Sequence, residues 1–175
     1  MRFTPMAASL ALALACVGSV AVGQAPDNQI NPRSVELTRT GLAALAAGQY
    51  FAARDSLETA LAVDPKNREA FGGLGKVAMA QGLPGQAVRL YREALLIEPN
   101  DVASLQGQGE ALVQRGAVDR AKTNLARIRT LCKTECAPAT KLAAVIAKGP
   151  PPVVATAQAN TEVPPKGKED VKVNP

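Results

Sequence analysis

The 175-residue chain contains no histidine and no tryptophan, and only 3% of it is aromatic. Without histidine the commonest general base and the commonest metal ligand are missing. Nucleophile arrangements built on a Ser-His-Asp or Cys-His pair are excluded, and catalysis by carboxylates or lysine is what stays formally open. Few aromatics, with abundant alanine in a composition that is 47% apolar, argue against a β-sandwich. They favour closely packed helices with cores of Ala, Leu and Val. The length suits one domain. A net charge of +5 permits an acidic partner or a membrane surface, and is equally what solubility alone would require.

Residues 1–23 read as a secretory signal: Arg2 supplies the positive start, Met6 to Val22 is apolar and alanine-rich, and small residues at Ala21-Val22-Gly23 offer a cleavage site before Gln24. The apolar stretch is short for a membrane span, although a retained anchor is an alternative. A second exported reading rests on Ala13-Leu14-Ala15-Cys16, which resembles a bacterial lipoprotein cleavage box with Ala13 in place of the usual leucine. Cleavage there would leave Cys16 as a lipidated N-terminus in contact with a membrane, whereas cleavage after Gly23 discards it. Residues 24–33 are expected to form a flexible leader. Residues 149–175, rich in proline and charge and lacking an apolar period, are expected to be a disordered tail.

Between these segments the chain repeats itself every 34 residues. Residues 34–67 and 68–101 share eight identities without a gap, among them Gly41/Gly75, Gly48/Gly82, Ala53/Ala87, Ala60/Ala94 and Pro65/Pro99. A weaker third copy, 102–135, keeps Leu105, Gly109, Leu112, Gly116, Ala121, Leu125 and Ile128 in frame but has Lys133 where the closing proline would fall. Within the second copy, Phe71, Leu74, Gly75 and Ala78 recur at helical spacing, as do Ala87, Leu90, Tyr91, Ala94 and Leu95. Gly82 separates the two stripes and Pro84 suits the first position of a new helix. Each copy is therefore predicted to be a pair of antiparallel helices. Glycines 41, 75 and 109 and alanines 53, 87 and 121 admit a neighbour closely, while Leu57, Tyr91 and Leu125 fill the space beside them. Asn67 and Asp101 are suitable N-caps for the units that follow Pro65 and Pro99.

These residues resemble the tetratricopeptide-repeat family, whose unit is 34 residues. The match is best in the second copy (Phe71, Leu74-Gly75, Ala87, Tyr91, Ala94, Pro99), with Ala78 where an aromatic is usual; Thr40 departs from the pattern in the first. An unrelated alanine-rich bundle is the competing fold. The resemblance covers residues 34–135 and implies an all-α, right-handed superhelix of about three helix-turn-helix repeats. A short capping helix, 137–148, would complete a domain spanning 34–148, with Leu142, Val145 and Ile146 facing the third repeat.

In this family the first helices of successive repeats line a concave groove. The resemblance places Thr38, Leu42, Leu45, Glu69, Lys76, Met79, Gln106, Glu110 and Val113 there, with Gly72, Gly73 and Gly107 on or near it, widening it for an extended peptide or a helix. The implied activity is that of an adaptor or scaffold which holds a protein or peptide, without catalysis and without a cofactor. Some members grip a carboxylate end with a set of Lys, Arg and Asn; only Lys76 of such a set is present, so that activity is not carried over. Arg115, Arg120, Lys122, Arg127, Arg129 and Lys133 make the third repeat basic, either a solvated outer face or a second surface for acidic partners or headgroups. Nucleic acid is not expected, since stacking aromatics are lacking.

Once Cys16 has left with the signal, Cys132 and Cys136 remain as an even pair. In an oxidising compartment they are expected to form a disulfide across a turn, because four-residue spacing bridges poorly along a regular helix. Free thiols, or redox or metal chemistry, are the alternatives. A redox motif usually has two intervening residues, and two thiolates without histidine make an incomplete zinc site.

Overall fold

The computed structural model describes residues 29–133 and 136–152. The readings of a signal, of lipidation at Cys16 and of most of the tail lie outside them. Seven helices follow one another: α1 Pro32–Ala46, α2 Tyr50–Val63, α3 Arg68–Ala80, α4 Pro84–Ile97, α5 Val102–Gln114, α6 Val118–Cys132 and α7 Ala137–Lys148. The leader expected to run to residue 33 ends earlier, because Asn31 caps α1 by accepting from Arg33 N–H and Pro32 fixes its first turn.

Local chemistry sets the boundaries. Between the paired helices, Gly48, Gly82 and Gly116 all lie at positive φ (73°, 71° and 76°), so the turn recurs at the 34-residue period. α2 and α4 stop two residues before Pro65 and Pro99, where the residue preceding a proline is pushed to extended backbone; Asp64 and Glu98 are extended. The third repeat lacks that proline and ends instead on Lys133 in the left-handed region. Asn67 caps α3 through Ala70 N–H, and Asp101 caps α5 through Ser104 N–H.

Each helix packs on the next, and α1, α3 and α5 also touch one another in order. Among the described residues α2, α4 and α6 make no such contacts with each other. An array whose first helices touch while its second helices splay is curved, with α1, α3 and α5 on the inside. α7 packs on both α5 and α6, in the place where the first helix of another repeat would lie.

The packing is large against small. A Cβ on Gly41 would lie 2.6 Å from Leu57 Cγ, and one on Gly73 2.8 Å from Leu57 Cδ2. Leu57, wholly buried, is thus held between a glycine of its own repeat and a glycine of the next. Tyr91 repeats this one unit on, between Gly75 and Gly107. In the third unit the pattern changes: Gly109 receives Leu142 of α7, 2.6 Å from where a Cβ would stand, rather than the expected Leu125. The cap has moved its own leucine into that space. Leu125 packs instead with Leu105, Ile128, Ala139 and Leu142.

Polar groups are buried where the first two repeats meet. Asn67 Nδ2 donates to Ser34 Oγ (2.8 Å) and to Thr38 Oγ1 (2.9 Å). Ser34 Oγ in turn donates to Ala60 O, and Thr38 Oγ1 to Ser34 O. Among the described residues no buried polar side-chain atom is left without a partner. Cys132 and Cys136 are joined by a disulfide, with Cα atoms 6.2 Å apart, tying the end of α6 to the N-cap of α7.

Candidate functional site

Of the nine residues expected to line a groove, all on α1, α3 and α5, seven are at least partly exposed and two are not. Leu42, Leu45 and Met79 are half-buried; Glu69 and Lys76 are exposed; Gln106 and Glu110 are half-buried and hydrogen-bonded to each other (Gln106 Nε2 to Glu110 Oε1, 2.7 Å). Thr38 and Val113 are corrections. Thr38 is 1% exposed because its hydroxyl is consumed by the Asn67 network, and Val113 is 1% exposed within the core beneath α5. Gly73 and Gly107 are corrections of a different kind: their missing side chains seat Leu57 and Tyr91 of the preceding repeat rather than widening a groove.

Gly72 does open onto the surface. A Cβ there would meet only Ser104 Oγ, at 3.8 Å. It lies in a cleft of about 330 Å³ between α3 and α5, walled by Arg68, Glu69 and Lys76 on one side and by Asp101, Ala103 and Ser104 on the other, with Tyr91 of α4 at its base. Helical geometry makes the wall: Glu69, Gly72 and Lys76 lie three and four residues apart, one above another on α3. At one end Arg68 Nη1 pairs with Asp101 Oδ1 over 3.0 Å, and Asp101 is otherwise held by the Ser104 hydroxyl it accepts from (2.5 Å). Tyr91 itself is only 3% exposed. Burial first, and the nearby Glu110 carboxylate second, push its phenol well above the ordinary tyrosine range. It is therefore a neutral hydroxyl at any physiological pH.

Sequence reasoning assigned Tyr91 to the core by its helical stripe, which is correct for the ring. Its position at the base of the cleft was not foreseen, since it comes from a second helix reaching between two first helices. No signal in the 34-residue pattern distinguishes such a residue from Leu57.

The basic residues of the third repeat lie on α6 and its flanking turns, away from this surface, and all are exposed. Lys122 pairs with Asp119 (3.0 Å) and Arg127 donates to Asn100 Oδ1 (3.2 Å). A wider depression at the α3–α4 turn is lined by Leu83, Pro84, Gly85, Val88, Arg89 and Arg115. Among the described residues no group of three His, Cys, Asp or Glu is placed to hold a metal ion, and no helix is long and apolar enough to cross a membrane.

Comparison with known proteins agrees with this geometry. Residues 44–108 match the model of the tetratricopeptide repeat family. A curated relative, the cellulose synthase operon protein C of Komagataeibacter xylinus, is 38% identical over 63 residues, which are 36% of this chain and 5% of that protein. Among solved structures, the type III secretion chaperone SycD of Yersinia enterocolitica, in complex with a peptide of the translocator YopD, superposes with a TM-score of 0.61. It is 19% identical, over 69% of this chain and 95% of that one. The Sgt2 TPR domain of Aspergillus fumigatus superposes with a TM-score of 0.62 at 19% identity, over 67% of this chain and 79% of that one. At these identities the likeness to the solved structures is one of fold.

Proposed function

With residues 44–108 matching the tetratricopeptide-repeat model and the helical array sharing the fold of solved structures of that kind, we propose that this chain is a non-catalytic adaptor that holds a protein or peptide segment on the inner surface of α1, α3 and α5. The observation that carries the reading is the curvature. First helices in mutual contact present one continuous concave face on which half-buried apolar groups (Leu42, Leu45, Met79) alternate with charges (Glu69, Lys76) and with a polar Gln106–Glu110 pair. Such a mixture suits the main chain and mixed side chains of a polypeptide better than a small apolar ligand. The resemblance to a chaperone crystallised with a peptide is in keeping with it.

We place the adaptor in an oxidising, exported compartment. The support is the signal-like character of residues 1–23 together with the Cys132–Cys136 disulfide, since such bonds persist outside the reducing cytosol.

The test is site-specific photo-cross-linking in the native envelope. Photoreactive residues at Met79 and Glu110 should yield discrete protein adducts, identifiable by mass spectrometry, and one at Arg129 on α6 should not. Adducts arising only from Arg129 would transfer the binding role to the basic outer face.

A further inference from the structure

Tyr91 is held between two glycines, yet its hydroxyl has no hydrogen-bond partner among the described residues. Because no buried side-chain polar atom among the described residues is left unpaired, the oxygen is not fully buried, and it reaches the surface where Tyr91 lines the cleft. A residue 97% buried that keeps one polar atom open to a cleft has given up a bond that buried hydroxyls ordinarily make. In the same cleft, α3 is bare main chain at Gly72. Hydroxyl and notch together form a place where another polypeptide backbone can come close and find a donor.

The charges select among occupants. Arg68 and Asp101 neutralise one another. Of the other charges, Lys76 and Glu69 line the cleft, and Glu110, on α5, is close enough to Tyr91 to act on its ionisation. With two carboxylates to one ammonium left around the hydroxyl, an acidic group over Tyr91 would meet a net negative field, whereas a neutral carbonyl or a basic flank would not.

Resting on the adaptor reading above, we propose that the α3–α5 cleft is the anchoring subsite of the groove, and that it takes the main chain of an extended, non-acidic peptide. A carbonyl of that peptide accepts from Tyr91 Oη while its backbone passes over Gly72. Tyr91 is then a ligand-binding residue of a kind that its place in the packing stripe conceals.

Two substitutions read this out without dismantling the fold. Tyr91→Phe keeps the ring between Gly75 and Gly107 and removes only the donor. Gly72→Leu fills the notch from a position that has room and favours helix. The probe is a synthetic library of short random peptides on beads, screened with the full chain and sequenced, with the retained peptides then titrated one by one. Retained sequences should be poor in Asp and Glu; Tyr91→Phe should weaken them by about three- to tenfold, the worth of one hydrogen bond. Gly72→Leu should abolish retention while circular dichroism is unchanged. Equal retention by wild type and both variants would overturn the cleft proposal and leave the groove reading standing. Enrichment of acidic peptides would overturn the assigned ligand class. Retention of nothing by the wild type would sink the adaptor reading and this inference with it.

Discussion

The side-chain amide of Asn67 donates to the Ser34 hydroxyl over 2.8 Å while its carbonyl accepts from Ala70 N–H, so one residue both starts α3 and fastens it to α1. The bond crosses 33 residues of sequence and is fully buried. Asn67→Ala would lose the cap, at about 1 kcal/mol, and the two bonds that Ser34 Oγ and Thr38 Oγ1 accept, at about 1 kcal/mol each, while their own donations to Ala60 O and Ser34 O remain. Asn67→Asp would keep the cap but donate nothing, and should fall between. Urea unfolding of the three proteins checks the order; an Asp variant as stable as wild type would mean that the amide donor contributes nothing.

Glycines that look alike in the sequence should respond oppositely. Gly107→Ala would drive a Cβ into the Tyr91 ring and should cost about 1–3 kcal/mol. Gly72→Ala makes only an ordinary contact, 3.8 Å from Ser104 Oγ, and should gain up to about 1 kcal/mol from helix propensity. Thermal melts of the pair should move in opposite directions from wild type.

The disulfide closes a very short loop, and the chain-entropy relation gives it about 2 kcal/mol. Its effect should be local. Reductant, or Cys132→Ser with Cys136→Ser, should raise amide exchange in α7 and around Leu142 while leaving α1 and α2 unchanged. Identical exchange in α7 with and without the bond would show that packing on α5 suffices.

The buried phenol makes stability depend on alkaline pH. In the folded state Tyr91 releases its proton at higher pH than in the unfolded chain, where it titrates near 10. Its contribution is complete below pH 10 and is lost as pH rises from there towards the folded value, at no more than about 1.4 kcal/mol per pH unit. Melting temperatures of wild type and Tyr91→Phe, compared between pH 9 and pH 11, should diverge with wild type falling faster. Parallel curves would indicate that the hydroxyl ionises freely.

Much of this architecture is readable from residues alone. The recurrence of glycine at 48, 82 and 116, of alanine at 53, 87 and 121, and of Pro65 and Pro99 suffices to place the first six helices, because each marks a turn, a close approach or a stop. The inner surface was less legible. Helical periodicity says which residues share a side, but a first helix is covered on more than one side. Thr38 and Val113 therefore went to the core, drawn there by an asparagine from the next repeat and by a neighbouring pair of helices. Gly73 and Gly107 were misread for the same reason: a missing side chain looks like open space until the partner that fills it, Leu57 or Tyr91, is known. The cleft itself needed three helices to meet, which no single repeat encodes.

Counting in steps of 34 from the two glycines that seat Leu57 and Tyr91 leads to Arg39 before Gly73 and to Lys141 after Gly107, both exposed. Where the interior junctions accept a bulky side chain from the preceding hairpin, these outermost positions present long cations, and Arg39 is already engaged with Glu36 at 2.8 Å. The socket is thus a property of the joints between repeats alone: the same register carries glycine where a hairpin must be received and a solvated cation where the described array meets water.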